Sequence, residues 1–250
     1  MGVQTLVAFV RQSTRDLQRF ARHSRKQRQC PTGGSGLLRS LPYFSAWRKS
    51  LQGSSPLDDG VPWITFPAIR LLQRTLRPGM RVFEYGSGGS TLCFARRGAT
   101  VISIEHNPEW YGRVVSRLEQ EHQHNASVTL VEPVPTTHTS DADPADPEVY
   151  ISSAPEYHHY DFKNYVTTID AYPDDHFDLI LIDGRARPAC IRHARSKVRI
   201  GGHVVLDNSD LPHYSPATLL LDDVYRRMDC PGPIPYLQTF IRTTAWRRLK

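Results

Sequence analysis

No run in this 250-residue chain approaches the roughly 18 consecutive apolar residues that a membrane-spanning helix needs, so a helical membrane protein is not expected. Cysteine is scarce. Cys30, Cys93, Cys190 and Cys230 lie far apart and form no Cys-x-x-Cys pair. That spacing argues against a cysteine-built zinc module and a disulfide scaffold, and makes a reducing compartment the expectation. Acids are nearly missing from the first 50 residues, where ten Lys/Arg face Asp16 alone. The rest of the chain holds 21 Lys/Arg against 24 Asp/Glu. The net charge of +6 therefore belongs to a basic arm on a nearly neutral body, and it is no sign that the body binds nucleic acid.

In the arm, Val3, Leu6, Val7, Val10, Leu17, Phe20 and Ala21 recur at helical spacing, with Arg11, Arg15, Arg19 and Arg22 mostly off the stripe. Pro31 and Gly33-Gly34-Ser35-Gly36 predict a flexible hinge, so residues 1–36 read as a basic helical arm. The arm is expected to pack on its own body. A membrane-surface helix, a partner-docking helix and an organelle-targeting segment are the alternatives. Polar residues interrupt the apolar ones, which makes a poor secretory signal, and a cytoplasmic location is expected. Residues 37–79 form a lead-in that is irregular around Pro42, Pro56, Gly60 and Pro62. A helix follows from about Phe66 to Leu76, stopped by Arg77-Pro78-Gly79.

From Met80 short apolar runs alternate with helical patterns. Strands are expected at Val82-Phe83, 101–104, 128–131, 177–182 and 204–206. Helices are expected at 91–97, 108–121, 162–171 and 188–198. The tail predicts a helix at 217–228, then a strand at 236–241 with 243–247 as its neighbour. This alternation implies an α/β fold with a mostly parallel sheet covered on both faces, spanning residues 80–250. Ligands bind such sheets beyond the carboxyl ends of the strands. Residues 132–160 include Asp141-Ala142-Asp143-Pro144-Ala145-Asp146-Pro147-Glu148 and read as a solvated acidic loop, with a substrate lid as the alternative.

The strongest chemical signal is Glu84-Tyr85-Gly86-Ser87-Gly88-Gly89-Ser90-Thr91. A strand ends in an acid, and a glycine turn then opens a helix whose first N–H groups are free. A dinucleotide fingerprint needs a third glycine where Thr91 stands. An acid at Glu84 would repel a pyrophosphate and attract a cationic amino-acid group. About twenty residues on, Glu105 ends the second strand beside His106, placed to accept hydrogen bonds from ribose hydroxyls. Glu132, after the third strand, is placed to flank an adenine.

These segments, together with Phe177-Asp178-Leu179-Ile180-Leu181-Ile182-Asp183-Gly184, resemble in order and spacing the motifs of class I S-adenosylmethionine-dependent methyltransferases over roughly residues 62–245. The resemblance implies a Rossmann-like, seven-stranded sheet with its last strand antiparallel, and S-adenosylmethionine as cofactor. It implies cofactor contacts from Glu84, Gly86, Ser87, Gly88, Ser90, Thr91, Glu105, His106 and Glu132. Asp183 and Asp207-Asn208 end the next two strands, on one rim. They resemble the Asp…Asp-Asn magnesium set of catechol-type O-methyltransferases, which implies Mg²⁺ at Asp183, Asp207 and Asn208. The pattern departs at Ala186, where those enzymes carry a lysine.

Arg185, Arg187 and Tyr214 are candidate acceptor contacts, and Asp183, Asp207 and His213 candidate catalytic groups. His203 and His158-His159 are weaker candidates as bases, and Tyr43, Trp47 and Trp63 as acceptor walls. The expected activity is methylation of an oxygen on a small molecule or glycan. A nucleic-acid or protein methyltransferase docking through the basic arm is less favoured. A scaffold that keeps only the fold, and a nicotinamide oxidoreductase, rank lower still.

Overall fold

The protein is described from a computed structural model covering residues 3–28, 36–52, 55–136 and 142–250. The expected hinge residues 31–35, Cys30 and Asp141 lie outside these. In chain order the elements are α1 (Val3–Arg28), α2 (Gly36–Ser40), α3 (Phe44–Ser50), α4 (Pro56–Asp59), α5 (Phe66–Thr75), β1 (Arg81–Tyr85), α6 (Gly89–Ala95), β2 (Thr100–Glu105), α7 (Pro108–Gln120), β3 (Ala126–Leu130), β4 (Val134–Pro135), β5 (Tyr160–Asp161), α8 (Lys163–Thr167), β6 (Phe177–Ile182), α9 (Arg187–Ala194), β7 (Val198–Leu206), α10 (Ser215–Thr218), β8 (Tyr225–Pro233) and β9 (Phe240–Arg248).

Seven strands form one sheet in the order β3-β2-β1-β6-β7-β9-β8, and only β9 runs against its neighbours. The unbroken apolar run of β6 follows from burial on both faces. Phe177, Ile180 and Ile182 pack with α8 and α9, while Leu179 and Leu181 pack with α5, α6 and α7. Two helices start where the sequence supplies a cap followed by proline. Thr65 accepts the Ala68 amide and Asn107 accepts the Trp110 amide.

The tail departs from expectation. No helix spans 217–228: α10 is four residues long, a 3-10 turn follows, and β8 begins at Tyr225. The residues pair along their length with β9. That ladder outweighs a weak local helical preference, and Pro231 and Pro233 are tolerated because β8 is an edge strand. Residues 236–239 are the reversal rather than a strand, with Tyr236 in the left-handed region at φ 65°. Residues 243–247 are extended as expected, but they continue the same strand as Phe240 and Ile241 within β9, whose neighbours are β7 and β8.

The acidic loop is also corrected. Its described part does not float in solvent: β4 pairs with β5, the Phe162 amide donates to the Tyr150 carbonyl at 2.7 Å, and Tyr150 and Tyr157 pack on the core. The arm is held by Phe20, which is fully buried with its ring 4.9–5.3 Å from Phe44, Trp47 and Phe240. Asp16 adds an ion pair to Arg48 at 3.1 Å.

Candidate functional site

The carboxyl ends of β1, β2, β6 and β7 open onto a cavity of about 520 Å³, well within the roughly 300–1,000 Å³ of small-molecule sites. The turn after β1 forms its floor. Gly86 sits at φ +90°, and a Cβ there would come within 3.0 Å of the Asp183 carbonyl and the Gly184 backbone. Only glycine lets the two strand ends approach so closely. Ser87, Gly88 and Ser90 line the cavity, and the Trp110 indole N–H donates to the Ser87 carbonyl at 2.7 Å.

Glu84 does not reach the cavity wall, contrary to the cofactor contact expected of it. It is fully buried beneath the turn and accepts the hydroxyls of Thr91 and Ser103, each at 2.5 Å. Thr91, also fully buried, accepts the Gly88 amide at 2.9 Å. Both residues therefore shape the turn from below rather than touching a ligand. Burial pushes the Glu84 carboxyl up to about 7, against the hydrogen bonds that favour its charged form.

Glu105 faces the cavity from the end of β2. One oxygen accepts the amide and hydroxyl of Ser87, and the other accepts the amides of His106 and Asn107. Although burial pushes its carboxyl up, His106 and those amides hold it below the usual range. His106 lies beside it and meets the Tyr157 hydroxyl at 3.1 Å. Arg185 places its guanidinium 5.0 Å above the Tyr157 ring and reaches Glu156 at 3.3 Å. Tyr157, beyond the acidic run, thus supplies one wall of the cavity.

Asp183, Asp207 and Asn208 do converge on one side of the cavity, but one side-chain oxygen of each is already engaged. Arg187 directs all five guanidinium N–H groups at protein oxygens: Nε to the Gly184 carbonyl at 3.0 Å, Nη1 to the Asp207 carbonyl at 2.6 Å and Asn208 Oδ1 at 3.0 Å, and Nη2 to the Asp183 carbonyl at 3.2 Å and Oδ1 at 2.9 Å. Asp207 Oδ1 accepts the Thr243 hydroxyl at 2.6 Å. A dication would meet the fixed positive charge of Arg187, which already holds a side-chain oxygen of Asp183 and of Asn208, so the residues do not fit Mg²⁺. Among the described residues no group of three His, Cys, Asp or Glu could hold a metal. The expected acceptor role of Arg187 is corrected as well, since none of its donors remains for a ligand. Burial raises both aspartic carboxyls, and each is raised further by a neighbouring acid, Glu84 for Asp183 and Asp183 for Asp207.

Tyr214 lines a neighbouring cavity of about 190 Å³ behind Arg187. Glu132 is exposed beyond β3, and His213, His203, His158 and His159 lie outside both walls. Trp47 is core, and Tyr43 stacks on Phe66. Trp63 does line the cavity, 45% exposed, with its indole N–H on the Pro235 carbonyl at 3.0 Å. Pro56, Ile234 and Leu237 complete that apolar side. The sequence reading missed Asn107, Trp110 and Tyr157. The Asn-Pro helix start flagged the first two, and the tyrosines spaced through the acidic loop flagged the third.

No protein-family model matches the sequence, and no curated protein does. Among solved structures, the O-methyltransferase TomG from Streptomyces achromogenes, involved in tomaymycin synthesis and solved in complex with SAM, is similar at 14% identity and a TM-score of 0.56. The match covers 86% of this chain and 100% of that one. The fold is that of the class I S-adenosylmethionine-dependent methyltransferases. An rRNA methylase from Streptococcus thermophilus matches at 12% identity and a TM-score of 0.49, over 72% of this chain and 93% of that one. A precorrin-6y C5,15-methyltransferase from Geobacter metallireducens matches at 16% identity and 0.47, over 72% and 87%. The glycine turn, Glu105 and Asp183 line one cavity at the carboxyl ends of the strands. No helix among the described residues is long and apolar enough to cross a membrane.

Proposed function

We propose that this chain is an S-adenosylmethionine-dependent methyltransferase acting on an oxygen of a small molecule or glycan. The observation that carries the reading is the facing of Glu105 and Asp183 across one cavity floored by the Gly86–Ser90 turn. The cavity fits the cofactor in its parts. The glycine turn admits close backbone approach, a ribose hydroxyl would take the place of the Ser87 hydroxyl on Glu105, and His106 and Asn107 follow it as the wall for a base.

The cofactor, when bound, supplies an electrophilic methyl on a sulfonium. The remaining work falls to the protein's own groups. Asp183 Oδ1 is held by Arg187, while Oδ2 has no hydrogen-bond partner among the described residues and faces the cavity. That oxygen accepts the hydrogen bond of an acceptor hydroxyl and takes its proton. Burial makes it a stronger base than an exposed aspartate. Trp63, Ile234 and Leu237 offer an apolar face for the acceptor and exclude water. Asp207, capped by Thr243, braces the rim and is not the base.

The test is calorimetric titration with S-adenosylhomocysteine, with NADH as control. Binding of the first alone supports the reading, and binding of neither by folded protein overturns it.

A second reading has an observation of its own. Arg15, Arg19, Arg22 and Lys26 are exposed along one face of α1, opposite Phe20. Phe20 packs on Phe240, just past the turn that carries Leu237. An anionic polymer such as RNA would meet this stripe before the cavity. A salt-dependent RNA gel shift lost when the four are changed to Gln favours it, and no shift at low salt rejects it.

A further inference from the structure

Arg187 stands where the resemblance implied a metal, and its surroundings give it a metal's task. Its guanidinium is gathered by oxygens from two separate points of the chain: Asp183 and Gly184, which follow β6, and Asp207 and Asn208, which follow β7. These are hard oxygen donors of the kind a Mg²⁺ or Mn²⁺ ion takes. The chain reaches this geometry at a local cost, because Ala186 sits in the left-handed region at φ 47° and Asn208 at φ 51°. Neither is glycine, and such positions persist where the surroundings over-determine them. The left-handed Ala186 turns the chain so that the first residue of α9 points back over the strand ends instead of outward.

We infer that Arg187 is a built-in cation that replaces a divalent metal, binding the strand ends together and holding Asp183 charged and aimed into the cavity. The site excludes divalent metal because the guanidinium already places a positive charge among these oxygens. Arg187 is a positioning residue: it touches no substrate and acts through Asp183. Its consequence for turnover rests on the methyltransferase reading, whereas the exclusion of metal does not. A lysine would keep the charge that repels a dication but not the bracing, since three donors cannot serve five acceptors in a planar fork.

The experiment reads metal binding directly. Wild-type protein and Arg187→Ala are titrated with MnCl₂ and MgCl₂ by calorimetry, with melting curves in EDTA and in each metal. Wild-type protein is expected to show no stoichiometric binding and the same melting temperature in EDTA and in metal. Arg187→Ala is expected to melt lower in EDTA, to bind one Mn²⁺, and to recover part of the lost melting temperature. Adding Asp183→Asn abolishes that binding. Stoichiometric binding by wild-type protein that Asp183→Asn removes overturns the inference. So does a folded Arg187→Ala protein with no gain in metal affinity. If the alanine variant does not fold, Arg187→Lys decides: a lower melting temperature with metal still excluded supports the built-in cation, and Mn²⁺ binding at Asp183 overturns it. Titration of wild-type protein with S-adenosylhomocysteine runs separately, so failure of the cofactor reading leaves the metal result standing.

Discussion

The Thr91 hydroxyl donates to Glu84 at 2.5 Å beneath the glycine turn while accepting the Gly88 amide at 2.9 Å, so one hydroxyl links the last acid of β1 to the loop above it. An ordinary glutamic acid ionises near 4.5, and Glu84 is held protonated up to about 7. Between those values the folded state binds more protons than the unfolded one, so this group's contribution falls as pH rises. The full difference is of order 3 kcal/mol at most. Glu84→Gln should flatten the decline in stability between about pH 5 and about pH 7, seen in denaturant melts across that range. An unchanged slope would show that Glu84 is not the group responsible.

Glu105 serves four donors of the cavity floor before any ligand arrives. Glu105→Ala should weaken S-adenosylhomocysteine binding about tenfold to a hundredfold, the worth of a charge-assisted hydrogen bond or two. Calorimetry checks this. Affinity within twofold of wild type would remove Glu105 from the cofactor site.

A Cβ at Gly89 would lie 2.2 Å from the Pro56 carbonyl oxygen and 2.3 Å from that of Val61. Both are backbone, so α4 must move away from α6. Gly89→Ala should cost about 1–3 kcal/mol. Gly112 in α7 is the contrast, with nothing within 4 Å of an added Cβ. Gly112→Ala should add about 0.5–1 kcal/mol through helix propensity. Thermal melts of the two variants should move in opposite directions.

Phe20 is the anchor of the arm, fully buried between Phe44, Trp47 and Phe240. Phe20→Ala should remove about 3–5 kcal/mol of packing. The expected result is faster amide exchange over residues 12–27, with the sheet unaffected. Unchanged protection there would mean that the Asp16–Arg48 pair suffices to hold the helix.

The sheet, the glycine turn and Glu105 were legible because they rest on local signals: apolar runs of strand length, glycine, and an acid at a strand end. The tail was not, because β8 exists only through its pairing with β9, which no local pattern records. Arg187 shows the same limit at the site. Beside Arg185 it read as an acceptor contact, and nothing in an alanine before it signals the left-handed turn that turns it onto the strand ends. Glu84 was correctly located on β1, yet its depth beneath the turn depends on hydroxyls from Thr91 and Ser103 on other elements.

The turn between β8 and β9 sends Leu237 into the cavity mouth and offers its backbone to everything that precedes the sheet. Trp47 donates to the Leu237 carbonyl, Trp63 to that of Pro235, Ser50 accepts the Tyr236 amide, and Tyr236 donates to Asp59. Segments almost two hundred positions apart therefore form one cap beside Trp63 and Leu237 of the cavity. A chimaera that exchanges only residues 234–239 with those of a relative would lose its foundations. If this side receives the acceptor, as proposed, its preference is transferable only as a matched pair, the turn together with residues 44–63.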